Sequence, residues 1–265
     1  MTLDEYCEIY MMAWKTPDIE ESRRSFEEFK ENFGAELSQR FTPLQAEDIE
    51  WFKHALEDDI KNKFVASVFF RTDIALPAEL YEPMLRAAVY EIDPSYNRYF
   101  VDPCIEAFGL RRVNNSLLEV VRNGDNFEKA GAVNALYHAS PPGLAFQGMP
   151  PAYTKEYALP ESVQAYEEYK DVRMERDCLF LKEFVNNPNT EVRQSLIPHL
   201  NLDDPSYYPD DIRPLVNEAI RIAESHEDEY IRHRLEIKLD KEPPRTKPPY
   251  KTVKVLPYRK RKGSG

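Results

Sequence analysis

The chain has 265 residues, a formal net charge of −12, 42% hydrophobic residues, 21 prolines and only eight glycines. It is too apolar and too aromatic to be wholly disordered. Its glycine content lies well below the usual share of about 7%, which argues against Gly-rich phosphate-binding loops and against a β fold with many tight turns. We find no run of about 18 apolar residues, so the sequence predicts no membrane-spanning helix.

The first 44 residues predict a helical cap at the N-terminus. Residues 3–14 form an apolar helix that should end near Pro17. A second helix is predicted over residues 20–33, where Phe26, Phe29 and Phe33 form an aromatic stripe between charged residues.

Residues 45–240 predict a series of helix pairs in which a polar turn precedes each second helix. The second helices begin near Phe64, Phe100, Glu128, Val192 and Ile231, at separations of 36, 28, 64 and 39 residues. The interval of 64 corresponds to two unequal units or to one unit with an insertion. A period of about 30–40 residues with two helices per unit is typical of an α-solenoid.

Three of these second helices carry a recognisable pattern. Residues 191–196 read EVRQSL and residues 229–232 read EYIR, whereas residues 128–136 read EKAGAVNAL, with lysine in place of arginine. In these motifs the chain resembles the HEAT-like repeat family over about residues 45–240, although the units at Phe64 and Phe100 lack the arginine. The resemblance implies a right-handed, armadillo-like α-solenoid of antiparallel helix pairs, which usually presents an extended surface to a protein partner.

Residues 140–160 interrupt the helical pattern with five prolines and two glycines. Apolar side chains at Phe146, Met149 and Tyr153 favour a loop that packs over the adjacent helices. A partner-binding loop is the alternative, because long irregular segments often carry function.

The net charge of −12 divides into two segments of opposite sign. Of the 35 basic and 47 acidic residues, nine bases and one acid lie in residues 241–265, which gives this tail a charge of +8. The preceding residues keep 26 bases and 46 acids, a charge of −20. The proline pairs of the tail favour an extended chain, and its end carries four consecutive basic residues, Arg259, Lys260, Arg261 and Lys262.

Three interpretations of the basic tail remain open. It is a disordered solubilising segment, it folds back onto the acidic body, or it binds nucleic acid, ribosomes or an acidic partner.

We find no sequence motif for catalysis or for metal binding. None of the five histidines forms an HExxH pair, and GxSxG, Walker A and GxGxxG motifs do not occur. The odd number of cysteines and their wide separation favour buried free thiols at Cys7, Cys104 and Cys178 in a reducing cytoplasm. The sequence therefore predicts a cytoplasmic, non-enzymatic protein without cofactor or metal.

The sequence predicts an acidic, aromatic-rich scaffold that binds another protein. The candidate contact residues are Asn134, Tyr137, Arg193, Tyr208 and Arg232. The two arginines have a structural alternative, in which they cap a turn or pair with an acid of the neighbouring repeat.

A second class of function is nucleic-acid binding, either through the basic tail or through a groove like that of HEAT-like DNA glycosylases. Such a groove must be basic, whereas this body is strongly acidic. The charge of the concave face decides between the two classes.

Overall fold

The computed structural model describes residues 1–15, 34–150 and 152–239. Within these ranges the protein is all-α, with thirteen α-helices, short 3₁₀ turns and no β-strand. The predicted helix over residues 20–33 and the basic tail, including Arg259, Lys260, Arg261 and Lys262, lie outside the described residues. In the described part, no helix is both long and apolar enough to cross a membrane.

In chain order the α-helices are α1 Leu3–Lys15, α2 Gly34–Arg40, α3 Ala46–Leu56, α4 Lys61–Arg71, α5 Tyr81–Tyr90, α6 Asn97–Phe108, α7 Leu110–Asn123, α8 Asn126–His138, α9 Pro160–Glu168, α10 Lys170–Asn186, α11 Thr190–Leu196, α12 Pro214–Glu224 and α13 Glu229–Lys238.

The polar turns before three of the second helices act as N-terminal caps. Asp125, Asn189 and Asp228 precede α8, α11 and α13, and each side chain accepts a hydrogen bond from the backbone N–H three residues later, at 2.9–3.0 Å. A cap of this kind satisfies an otherwise unpaired donor and stabilises a helix by about 1 kcal/mol. The same turns that divide the sequence into units therefore fix where these helices begin.

Consecutive helices contact each other in pairs. Helix α3 contacts α4, α5 contacts α6, α7 contacts α8, α10 contacts α11, and α12 contacts α13. The second helices also contact one another in order, from α4 through α6, α8 and α11 to α13. Each pair thus buries its apolar face partly against the next pair. The curvature and the handedness of this arrangement remain predictions.

Helix α5 also crosses α8 at very short range. At the crossing, a Cβ atom on Gly131 would lie 1.9 Å from the backbone oxygen of Val89. Only glycine allows the two backbones to approach this closely. Helix α8 therefore contacts α5, α6, α7 and α11, and it occupies the centre of the described fold.

A buried polar cluster joins the N-terminal helix to the body. The Tyr10 hydroxyl of α1 lies 2.8 Å from the Ser67 Oγ of α4 and 2.8 Å from the Tyr96 hydroxyl, which precedes α6. Because all three side chains are buried, these hydrogen bonds hold the three elements in one register.

The proline-rich segment is attached at its base and exposed at its tip. The Leu159 N–H donates to the Ala145 oxygen at 2.8 Å, and the Arg173 guanidinium of α10 donates to the Pro142 oxygen at 2.5 Å. Met149, at the tip, is 86% exposed.

Candidate protein-binding groove

An open groove of about 600 Å³ runs between the end of α5, one face of α8, the start of α11 and the first turn of α13. Three of these elements, α8, α11 and α13, contact one another in chain order, so the groove extends along them. We call it the α8 groove.

The floor of the α8 groove is small and polar. Gly131 and Asn134 of α8 and Gln194 and Ser195 of α11 line it. The Gln194 amide nitrogen donates to the Asp228 carboxylate at 2.9 Å. The side-chain oxygen of Gln194 takes no part in this hydrogen bond. Among the described residues, the half-buried Asn134 amide has no hydrogen-bond partner. Its NH₂ and its carbonyl are both available to a bound molecule.

The rim of the α8 groove is apolar and exposed. Ile92, after α5, is 84% exposed, Phe127 of α8 is 47% exposed, and Tyr230 of α13 is 40% exposed. Tyr137, one turn beyond Asn134 on α8, is 65% exposed. Exposed large apolar side chains that cluster around one concave site are typical of an interaction surface.

A short network fixes the aromatic part of this rim. The rings of Tyr90 and Phe127 lie with their centroids 5.5 Å apart. The Tyr90 hydroxyl donates to the Glu128 carboxylate at 2.9 Å, and this hydrogen bond raises the pKa of Tyr90. The other oxygen of Glu128 accepts from the backbone N–H of Asp125 at 3.0 Å, so the network extends to the cap of α8.

The charged residues that line the α8 groove are both acids, Glu91 and Glu191, and no described lysine or arginine lines it. Glu91 is buried and compensated, because Lys63 Nζ lies 3.5 Å away and the Asp93 N–H donates to it at 2.9 Å. Glu191 is exposed and forms no ion pair with another described residue. The groove therefore offers one uncompensated negative charge beside its polar floor.

Of the residues predicted to bind a partner, Asn134 lines the α8 groove. Tyr137 lies one turn further along α8 and does not line the groove, and its ring packs edge-on to His138. The Tyr137 ring centroid is also 6.4 Å from that of His199.

The predicted arginines lie at helix turns and contact backbone oxygens. Arg193 Nε donates to the Phe184 oxygen at 3.1 Å, and burial lowers its pKa. Arg232 donates to the carbonyl oxygens of His226 and Glu227. These contacts match the alternative in which the two arginines cap a turn, since each arginine closes the turn in front of its helix.

Tyr208 lies in the core rather than on a surface. It is 1% exposed, its hydroxyl accepts from the Asn201 N–H at 3.1 Å, and burial raises its pKa to about 12. Tyr208 therefore stabilises the connection between α11 and α12 and contributes no contact to the α8 groove.

Sequence reasoning did not select Ile92, Phe127, Gln194 and Tyr230. Gln194 and Tyr230 lie inside the two quoted HEAT-like motifs, next to the residues that were selected. A helical wheel that places Glu191, Gln194 and Ser195 on one face of α11 separates them from Val192 and Leu196, which are buried. Ile92 and Phe127 have no comparable sequence signal, because they meet only where α5 crosses α8.

Among the described residues, no cysteine or histidine lines the α8 groove. Burial raises the pKa of Cys7 to about 11 and that of Cys104 to about 12, so both thiols stay protonated at neutral pH. Burial lowers the pKa of His199 to about 4. Within the described ranges, no group of three or more His, Cys, Asp or Glu side chains is arranged to hold a metal ion.

Comparison with known proteins gives no relative for this chain. No protein-family model, no curated protein and no solved structure matches it. The HEAT-like resemblance therefore continues to depend on the motifs in residues 128–136, 191–196 and 229–232.

Proposed function

We propose that this chain is a non-enzymatic, cytoplasmic interaction protein, built as a right-handed HEAT-like solenoid, whose α8 groove binds an extended segment of a partner protein. The observation that carries the proposal is the composition of the groove. Apolar side chains form its rim, and its floor holds the Asn134 amide, which has no partner among the described residues. The charged side chains among its described lining residues are all carboxylates.

The amide on the groove floor suits the backbone of an extended chain. Asn134 can donate to a peptide carbonyl and accept from a peptide N–H at the same time. The Gln194 oxygen offers a further acceptor on α11, because the Gln194 amide nitrogen is directed to Asp228. An extended segment presents such backbone groups at regular intervals, with side chains alternating to both sides.

The rim and the charge indicate which side chains the segment carries. Ile92, Phe127 and Tyr230 form apolar contacts, and Glu191 attracts a lysine or an arginine. A partner segment that combines apolar and basic residues satisfies both features, whereas an acidic segment is repelled.

The nucleic-acid alternative lacks support at this groove. A DNA-binding groove requires basic side chains facing the phosphates, and the charged residues lining the α8 groove are acidic. Nucleic-acid binding through the basic tail is kept as a possible outcome of the experiment below.

Selection from a random peptide library against the full chain, followed by affinity measurements, tests the proposal. We expect the selected peptides to share basic and apolar residues. Glu191→Lys should weaken their binding about tenfold at low salt, since a reversed charge at close range changes the interaction by roughly 1–2 kcal/mol. Asn134→Ala should weaken it a few-fold.

Glu79→Lys is the matched control, because Glu79 is exposed at the opposite end of α5 from the groove. This variant should bind the selected peptides within about twofold of the original chain, since charges separated by more than about 10 Å are largely screened. Peptides without charge preference, or equal affinities for the Glu191 and Glu79 variants, contradict the proposal. Binding of a labelled oligonucleotide without binding of any peptide favours the nucleic-acid alternative.

A further inference from the structure

We propose that the basic tail of this chain is an intramolecular ligand of the α8 groove, so that residues 241–262 compete with the partner segment. This inference rests on the proposed function, and it names the occupant of the groove when no partner is bound. It makes the protein self-masking, with partner binding dependent on displacement of its own tail.

Charge complementarity is the first argument. The tail carries nine bases and one acid. The charged side chains lining the groove are carboxylates, and Glu191 among them forms no ion pair with another described residue. Oppositely charged segments of one chain attract most strongly where the local charge is uncompensated.

The side-chain pattern of the tail matches the groove in a second respect. Residues 250–256 read YKTVKVL, which combines two lysines with tyrosine, valine and leucine. Prolines at positions 248, 249 and 257 flank this stretch and favour an extended backbone. It is therefore an extended basic and apolar segment, the kind of ligand that the amide on the floor and the apolar rim accommodate.

The last described residue before the tail, Leu239, lies within reach of the groove. Tyr230, in the first turn of α13, lines the groove, and Leu239 follows directly after this helix. Nine residues of helix span about 13 Å. The Lys238 ammonium donates to the Leu200 oxygen at 2.6 Å, which fixes the end of α13. From Leu239 to Lys251, an extended chain at about 3.1 Å per residue spans about 37 Å, enough to return along α13 and enter the groove.

Tethering makes even a weak contact effective. A short flexible linker gives an effective concentration on the order of 1 mM. If the isolated segment binds with a Kd of about 0.1 mM, the groove is open in about one molecule in eleven, and the apparent affinity for a competing peptide falls about tenfold.

The first test is photo-crosslinking in the full chain. A benzophenone amino acid in place of Phe127, on the groove rim, should crosslink to residues 241–262 of the same molecule, at a yield independent of protein concentration. The matched control carries the same group in place of Tyr153, which is exposed at the tip of the proline-rich segment. Glu191→Lys or 0.5 M salt should lower the yield at position 127 several-fold, since salt screens the attraction.

Equal yields of tail crosslinks at positions 127 and 153, or a yield that neither salt nor the Glu191 substitution changes, overturn the inference. A tail that crosslinks only between molecules overturns it as well.

The second test measures competition. The probe is a labelled synthetic peptide with the sequence of residues 248–258, added to the full chain and to a full-length double variant, Lys251→Glu with Lys254→Glu. The reversed charges should release the groove, so the probe should bind the double variant about tenfold more tightly than the original chain.

The outcomes separate this inference from the proposed function. If library-selected peptides bind and respond to Glu191→Lys, but their affinities are equal for the original chain and the double variant, the groove function stands and the tail inference is wrong. If the tail crosslinks at position 127 but no foreign peptide is selected with either chain, the tail inference stands and the proposed partner is wrong.

Discussion

Gly131→Ala provides a sharp test of how the fold forms its groove. The added Cβ atom would lie 1.9 Å from the oxygen and 2.9 Å from the carbonyl carbon of Val89. Both are backbone atoms of α5, so no rotamer change relieves the overlap. Helices α5 and α8 must move apart, and the groove that they border must change shape.

The expected loss of stability follows from two opposing effects. Overpacking of this kind costs roughly 1–3 kcal/mol, and we use the upper value because backbone atoms collide. Replacing glycine by alanine inside a helix stabilises the helix by about 1 kcal/mol, because alanine has the higher helix propensity. The net loss is about 2 kcal/mol, which corresponds to a fall in Tm of roughly 4–8 °C for a chain of this size.

Thermal unfolding followed by circular dichroism measures this change. Gly143→Ala is the control, because a Cβ atom there meets no heavy atom within 4 Å and the position lies outside the helices. This variant should keep the Tm of the original chain within about 2 °C. A Gly131→Ala variant as stable as the original chain would refute the close crossing of α5 and α8.

Three further variants probe buried contacts. Lys129→Ala leaves the Glu183 carboxylate, 14% exposed, without its cation at 2.6 Å, and should lower the urea unfolding free energy by about 2–3 kcal/mol. Tyr207→Phe removes the hydroxyl that donates to Asp177 at 2.6 Å, and should cost about 2 kcal/mol in the same assay. His199 is held neutral, with its pKa lowered from 6.5 to about 4. The stability that neutral His199 contributes is fully present above pH 6.5, and up to about 3 kcal/mol of it is lost as the pH falls to 4. In His199→Gln, the free energy of unfolding should therefore change less with pH between 6.5 and 4.

The Lys129 and Tyr207 variants each have a matched control. Lys53→Ala breaks an exposed pair with Glu50, also 2.6 Å apart, and should change stability by less than about 1 kcal/mol. Tyr153→Phe removes an exposed hydroxyl and should have no measurable effect. Equal losses in the buried and exposed variants contradict the assigned contacts. For His199, an unchanged slope of stability between pH 4 and 6.5 contradicts its burial in the neutral form.

The sequence predicts the helices well because their signals are local. The caps at Asp125, Asn189 and Asp228 and the apolar spacing behind them depend on neighbouring residues alone. The structure confirms the all-α class, and it confirms that Cys7 and Cys104 are buried free thiols, whereas the free thiol Cys178, also predicted to be buried, is only half-buried.

Two helix boundaries have a local cause that the sequence shows. Helix α7 begins at Leu110, because Gly109, with φ of 87°, ends α6 and allows the next helix to start at once. Helix α11 ends at Leu196. Pro198 has no N–H to continue the α-helical pattern, and a 3₁₀ turn follows.

The groove is only partly predictable, because it depends on contacts between helices that are distant in the sequence. Asn134 and Tyr137 are predicted from the sequence to contact a partner, and that role stays a prediction; Asn134 lines the groove, and Tyr137 is exposed on the same helix. Ile92 reaches the groove only because Gly131 lets α5 cross α8. A small-residue spacing indicates that something approaches closely, but it does not indicate which helix.

The most direct test of the proposed function is hydrogen exchange on the full chain, with and without a peptide selected from the library. Backbone amides of an α-helix exchange their hydrogens when the helix unfolds locally, and a bound ligand suppresses that local unfolding. We predict added protection in α8 and α11, which form the groove floor, and none in α9, which lies outside it. Protection confined to α9 or to the proline-rich segment, with none in α8, would contradict the assignment of the α8 groove as the binding site.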